Sequence, residues 1–240
     1  MQTLASVSRY HRWPYRLFTI VTAVWITVVV CLGFLGDIAR LPILEHTARN
    51  LYFHLPLWLV LMLGFVVAAY HSLRHLATGR MEHDVRAEQA ALVSTVAGVA
   101  ALLTGILWGR FTWYVGTNIW WNGDPRQVMV AVQLLICGAY FVLRSALDDE
   151  RRRGRIAAVY CLFATTALPF LLYVLPRRMQ SLHPGAEGNV AFSELGIAPQ
   201  MRMVLYAALL GFCLLFYWVY SVRVRLKLAE RRLDRLHDDW

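Results

Sequence analysis

Six long runs of apolar residues, free of formal charge, constrain the fold of this sequence more than any other feature. A membrane-spanning helix needs roughly 20 mostly apolar residues to cross about 30 Å of hydrocarbon, and the runs cover residues 17–36, 51–73, 89–109, 127–143, 156–176 and 203–222. The chain is 58% hydrophobic and only 16% charged, so the bilayer is its natural solvent. The sequence therefore predicts an all-α integral membrane protein, with six transmembrane helices forming a single membrane domain over residues 1–240.

The 24 arginine and lysine residues are distributed unevenly between these runs. The N-terminal segment, the loops after the second and fourth runs, and the C-terminal tail hold 17 of them, and the other three loops hold 7. Because cytoplasmic segments retain positive charge during insertion, both termini are predicted to be cytoplasmic. The net charge of +9 is then a signal of topology, and no nucleic-acid partner is expected.

Cysteine usage and motif content exclude several classes of protein. Cys31, Cys137, Cys161 and Cys213 all lie in apolar runs, without a CxxC pair or a CxxCH motif for covalent haem attachment. We interpret them as small hydrophobic residues rather than as disulfide or zinc-site partners. The sequence has no Ser/His/Asp set, Walker loop or GxGxxG motif, and we expect no enzyme activity.

A tryptophan-rich segment, residues 108–126, lies at and beyond the external end of the third predicted helix. Its four tryptophans, Trp108, Trp113, Trp120 and Trp121, fall within fourteen positions and alternate with Gly109, Gly116 and Gly123. Indole rings collect at membrane interfaces, and they also offer broad faces on which a planar ligand can stack. The segment is therefore either a ligand platform or an aromatic belt.

Two histidines are predicted on the same external side as the tryptophans. His54 lies at the start of the second helix and His183 in the loop after the fifth. Neutral imidazoles hold metals and haem iron, although an interfacial histidine bonded to water is the alternative for each. His71 and His75 have the i, i+4 spacing of a metal pair, but the sequence offers no third ligand.

Charged residues border the same segment. Asp124 and Arg126 read as an ion pair or as part of a site for carboxylate groups. Because an arginine fork binds a carboxylate at two points, haem propionates have four candidate partners on this side, Arg110, Arg126, Arg177 and Arg178.

Five short segments complete a pattern that extends over most of the chain. They are Leu51-Tyr52-Phe53-His54-Leu55-Pro56, Leu103-Thr104-Gly105-Ile106-Leu107-Trp108-Gly109, Gly116-Thr117 with Trp120-Trp121, Asp124-Pro125-Arg126, and Leu182-His183-Pro184-Gly185-Ala186. In this order the pattern resembles the CcmC-like members of the CcmC/CcsA family of haem-handling proteins, whose Trp-rich WWD segment lies between two external histidines. The sequence departs from that family at Trp121-Asn122-Gly123-Asp124, where a Trp-x-Trp-Asp run is expected.

The resemblance implies a site and a role. His54 and His183 would be the axial ligands of haem iron, and the haem site would be lined by Trp108, Trp113, Trp120, Trp121, Asp124 and Arg126. The cargo would be haem b, held transiently and without a covalent bond on the periplasmic face of a bacterial inner membrane. It would pass to a periplasmic haem chaperone beside subunits of an ABC-type transporter.

Two other functions are compatible with the residues. One is a b-type membrane electron-transfer subunit, and the other is a structural transporter subunit that holds no haem. The length of 240 residues leaves no room for the extra helices of the larger CcsA-type synthetases, which favours haem delivery over the final ligation step.

Overall fold

The computed structural model describes residues 12–39, 44–181 and 197–238. Within these ranges the chain is helical and contains no β-strand. Six long helices follow one another, each long and apolar enough to cross a membrane, and they are α1 (Arg12–Leu35), α2 (Leu51–Thr78), α3 (Met81–Thr112), α4 (Pro125–Ser145), α5 (Glu150–Pro169) and α6 (Pro199–Asp238). The predicted all-α architecture with six spans is confirmed.

Several helices extend beyond the apolar runs that predicted them. The third begins at Met81 and the fifth at Glu150, and both include charged residues in their first turns. The sixth continues to Asp238, well beyond the apolar run that ends at residue 222. A charged residue therefore ends an apolar run without ending the helix. The helical hydrogen bonds join backbone N–H and C=O groups, which charged and apolar residues both carry.

The helix bundle has two chemically different ends. At the first, which we call the aromatic end, α1 and α3 finish and α2 and α4 begin, so that the tryptophan-rich segment lies there. At the second, the arginine-rich end, α2 and α4 finish and α3 and α5 begin. A two-residue connection between α2 and α3 makes these helices antiparallel neighbours.

The centre of the bundle is packed with small side chains, mainly alanine, and with large aromatic ones. Buried residues from five of the helices, α2 to α6, form one cluster around Leu61, Phe65, Ala90, Cys137 and Ala164. Cys137 and Cys161 are buried free thiols that pack in this core as small hydrophobic residues, whereas Cys213 is partly buried and Cys31 is exposed. A second cluster, which includes Val29, Tyr52 and Met201, joins α1, α2 and α6.

Short irregular helices lead into and out of the spans at the aromatic end. A 3-10 helix, Glu45–Asn50, runs directly into α2. After α5 the chain widens into a π-helical turn, Phe170–Val174, where the amide of Leu175 donates to the carbonyl of Phe170 at 2.9 Å. This turn, and the 3-10 turn that follows it, direct the chain toward Ser181.

Candidate functional site

His54 lies in the first turns of α2 and is almost completely buried, with 5% of its surface exposed. The indole Nε1 of Trp58 donates to His54 Nε2 at 3.0 Å. On the other side of the ring, Nδ1 lies 3.0 Å from the hydroxyl of Thr104 on α3. Both ring nitrogens are therefore engaged by polar groups of the chain.

These contacts fix the tautomer of His54. An indole N–H only donates, so Nε2 must be the acceptor. The hydroxyl of Thr104 directs its own hydrogen to the carbonyl oxygens of Ala100 and Ala101, each at 2.9 Å, and it therefore accepts from Nδ1. His54 is a neutral imidazole with its proton on Nδ1 and its lone pair on Nε2.

The ring of His54 is enclosed by α3 as well. Its centroid lies 5.8 Å from that of Trp108, in an edge-to-face arrangement. Gly105 leaves space for the ring, since a Cβ atom at this position would lie 3.0 Å from His54 Cε1. The segment Thr104 to Trp108 thus forms one wall around the imidazole.

Trp108 has a different environment from the other predicted site tryptophans. It lies inside α3 with only 6% of its surface exposed, and its Nε1 donates to the hydroxyl of Thr47 at 3.2 Å. Thr112 donates to the same hydroxyl at 2.8 Å. Trp108 therefore joins the end of α3 to the 3-10 helix before α2, and it packs beside His54.

The chain between α3 and α4 presents two indoles at the surface. Trp120 and Trp121 are 52% and 47% exposed, whereas Trp113 caps the end of α3 and is half-buried. Gly116 and Gly123 have φ angles of +79° and +69°, values that glycine adopts at little cost. Their conformation shapes the loop, so these two glycines have a structural role.

Arg110 supports the exposed part of this loop. Its Nη1 donates to the carbonyl of Tyr114 at 2.8 Å, and its guanidinium carbon lies 5.6 Å from the ring centroid of Trp120. The ring of Phe111 meets Trp120 edge to face at 6.5 Å. Trp120 is therefore positioned by the last turn of α3 while one part of its surface stays open.

Asp124 links three parts of the aromatic end. Its Oδ1 accepts from the backbone amide of Arg126 at 2.9 Å and so caps α4, while Pro125 occupies the first turn. Its Oδ2 accepts from the hydroxyl of Ser181 at 2.8 Å. Asp124 thus contacts Arg126 through the backbone, and it connects the tryptophan-rich segment to the chain beyond α5.

The structure brings His54 and Trp108 together, and it brings Asp124 and Arg126 together at the start of α4. His183 lies outside the described residues. Arg177 is one of the four arginines considered as partners of haem propionates. Its guanidinium carbon lies 3.6 Å from the ring centroid of Tyr173, close to the end of α5.

Several residues in these contacts were not among the predicted site residues, and they include Trp58, Thr104 and Ser181. Trp58 follows His54 by four positions, which places both side chains on one face of a helix. That spacing was a usable signal. Thr104 and Ser181 contact residues 50 and 57 positions away, and no local pattern indicates such pairs.

The histidines at the arginine-rich end do not converge on a shared centre. His71 Nδ1 lies 3.2 Å from His83 Nδ1, whereas His75 Nδ1 lies 3.0 Å from the carbonyl of Arg80. Among the residues that the structure describes, no group of three or more histidine, cysteine, aspartate or glutamate side chains is arranged to hold a metal ion.

Comparison with known proteins finds one family along nearly the whole chain. The sequence profile described as heme exporter protein C matches residues 1–238. The protein named heme exporter protein C from Paracoccus denitrificans is 30% identical over 190 residues, which cover 79% of this chain and 77% of that protein. The protein of the same name from Rhodobacter capsulatus is 27% identical over 190 residues, covering 79% and 76% of the two chains.

Proposed function

Because the chain belongs to the heme exporter protein C family, we propose that it binds haem at the aromatic end and passes it to a haem chaperone. The family gives it a role in haem handling for cytochrome c maturation, and its six apolar helices make it a multi-pass membrane protein.

The observation that carries the proposal is the state of His54. Its Nε2 bears the lone pair that an iron atom needs, and its Nδ1–H is held by Thr104 at 3.0 Å. Histidines that bind metals characteristically donate their second ring nitrogen in this way, which fixes the ring and raises its basicity. The residues present at the aromatic end therefore fit an iron–imidazole bond to His54 once Trp58 releases its hydrogen bond to Nε2.

His183 is the second axial ligand in this proposal, as the family resemblance implies. It follows Ser181 by two positions, and the Ser181 hydroxyl is bonded to Asp124. This contact supports the idea that the chain leading to His183 approaches the tryptophan-rich segment. Two imidazoles on opposite faces would hold haem b without a covalent bond, so that it can leave.

The tryptophan-rich segment supplies the surface on which haem rests. Trp120 and Trp121 are exposed enough to stack on a planar ligand, while Trp113, Asp124 and Arg126 border them, and Trp108 supports His54 from within the bundle. Stacking and two exchangeable imidazoles suit moderate affinity. Transfer requires such affinity, because haem that is held too tightly does not leave. Each additional 1.4 kcal/mol of binding free energy makes the complex tenfold tighter.

The aromatic end faces the periplasm in this proposal, across a bacterial inner membrane. The excess of arginine and lysine at the other end supports this orientation. The partners are a periplasmic haem chaperone, which receives the haem, and ABC-type transporter subunits of the same maturation system.

Haem ligation is tested by purifying the protein in detergent and recording its haem content and absorption spectrum. We expect the wild type to carry six-coordinate, low-spin haem, and we expect His54→Ala and His183→Ala to lose that signature. His46→Ala is the matched control, since His46 is an exposed histidine at the same end. A wild type without haem, or a normal spectrum in both variants, would contradict the proposal.

Handover needs a second measurement. Haem-loaded protein is mixed with the purified chaperone, and haem is followed from one protein to the other. Transfer supports delivery, whereas haem that stays bound and only changes oxidation state indicates a b-type electron carrier.

A further inference from the structure

We propose that Trp58 competes with haem iron for the Nε2 atom of His54 and thereby sets how readily haem is bound and released. The inference rests on the proposed function, in which His54 is an axial ligand. It concerns a positioning residue that the tryptophan-rich segment does not include, since Trp58 lies on α2.

The competition follows from the valence of the imidazole ring. A neutral histidine has one nitrogen with a proton and one with a free lone pair. In this structure the lone pair on Nε2 accepts the indole N–H of Trp58 at 3.0 Å. An iron atom needs the same lone pair, so the Trp58 hydrogen bond and the iron–His54 bond exclude each other.

The surroundings favour a movement of Trp58 rather than of His54. The imidazole is 95% buried and is held by Thr104 through Nδ1, with Gly105 and Trp108 closing the space around it. Trp58 is only partly buried at the edge of the core cluster. Its ring meets that of His54 edge to face at 6.1 Å, and since it is less buried than the imidazole it has more room to move.

The interaction serves two states of the site. Without haem, Trp58 satisfies Nε2 and keeps the proton on Nδ1, so the ligand nitrogen stays in the form that iron requires. As haem leaves, the indole N–H returns to Nε2 and replaces the broken iron bond. One intramolecular hydrogen bond corresponds to roughly a fivefold change in an equilibrium constant, which loosens haem without abolishing its binding.

The test removes the indole N–H in two ways, of which the second leaves the bicyclic ring shape in place. Trp58→Phe keeps an aromatic ring, and 3-benzothienylalanine at position 58 keeps the bicyclic shape with sulfur in place of N–H. Trp25→Phe is the matched control, because Trp25 Nε1 also donates a hydrogen bond, to the carbonyl of Ala207 at 2.9 Å, on α1 and away from His54. Haem binding is titrated in detergent, and release is timed with excess apomyoglobin as the acceptor.

We expect both replacements at position 58 to tighten haem binding and to slow its release roughly fivefold, with a six-coordinate spectrum and with Trp25→Phe unchanged. Unchanged or weaker binding in the benzothienylalanine protein, while His54→Ala still loses the six-coordinate signature, would overturn the role of Trp58 and leave the proposed function intact. If His54→Ala keeps a normal spectrum, the ligand assignment itself fails, and the competition fails with it.

Discussion

Asp84 and Arg144 form a two-point ion pair inside the helix bundle, with Nη1 to Oδ1 at 2.7 Å and Nη2 to Oδ2 at 3.0 Å. Their exposed fractions are 2% and 5%. Glu88 accepts from Nε of the same arginine at 3.2 Å, and Arg231 of α6 lies 4.0 Å from Asp84. The pair therefore joins α3, α4 and α6 at the arginine-rich end.

Breaking this pair is expected to destabilise the whole bundle. Removing one partner of a buried pair leaves the other charge without compensation and costs about 3–5 kcal/mol. We expect Arg144→Met to lower the free energy of unfolding in detergent by about that amount. Arg86→Met is the control, because its pair with Glu82 is 38% exposed on each side, and exposed pairs contribute only about 0–1 kcal/mol. Equal stability of the two variants would contradict this prediction.

Thr104 is expected to support haem binding through His54 without touching haem. Thr104→Val keeps the shape of the side chain but removes the acceptor of the Nδ1 proton, and loss of such a supporting contact typically weakens metal binding about 10–100-fold. Thr104→Ser restores a hydroxyl and should recover most of the affinity. The measurement is a haem titration in detergent.

A matched threonine separates this effect from a general loss of helix packing. Thr27 is exposed on α1, where its hydroxyl donates to the carbonyl of Ala23 at 2.8 Å, and Thr27→Val should bind haem as the wild type does. Equal titrations for Thr104→Val and the wild type would refute a supporting role for Thr104.

Gly105 is expected to be sensitive to an added side chain. In Gly105→Ala the new methyl would lie 3.0 Å from His54 Cε1, and the ring is fixed between Thr104 and Trp58. We expect the displaced imidazole to bind haem roughly tenfold more weakly. Gly138→Ala on α4 has no heavy atom within 4 Å of the added carbon and should leave binding unchanged. The prediction fails if the two variants give the same haem affinity.

Asp124 is expected to order the loop that carries the exposed indoles. Asp124→Ala removes a helix cap, worth about 1 kcal/mol, and also removes the acceptor of Ser181. We expect faster hydrogen exchange in residues 113–124 and poorer haem retention. Asp149→Ala removes the corresponding cap of α5, in which Oδ1 of Asp149 accepts from the backbone amide of Arg152 at 2.6 Å. This control should leave the loop unaffected. Unchanged exchange in Asp124→Ala would count against this linkage.

Hydropathy alone was enough to predict the six helices, because the bilayer imposes a length and an apolar character on every span. The limits of the helices were less accessible. Arg110 interrupts the apolar run, yet α3 continues to Thr112, and so Trp108 packs inside a helix rather than at its exit. Charge marks where the hydrocarbon ends, whereas backbone hydrogen bonding determines where the helix ends.

Contacts between distant residues lay beyond sequence reasoning. Asp84 and Arg144 are 60 positions apart, and nothing in the local pattern of either indicates the other. The interpretation of Asp124 and Arg126 as an ion pair or as part of a site for carboxylate groups did not include the helix cap, in which Asp124 accepts from the backbone amide of Arg126. The bond from Trp58 to His54 was accessible in principle, since their spacing of four is one helical turn.

The π-helical turn at Phe170–Val174 makes the end of α5 sensitive to chain length rather than to side-chain chemistry. Such a turn accommodates an extra residue, and each helical residue rotates the backbone by about 100°. Deleting a single residue there would swing the following chain, with Ser181, away from Asp124, although no haem-site side chain had changed. Two relatives that differ by a one-residue gap at this turn would therefore present the same amino acids in different directions, and percentage identity would overstate their functional similarity.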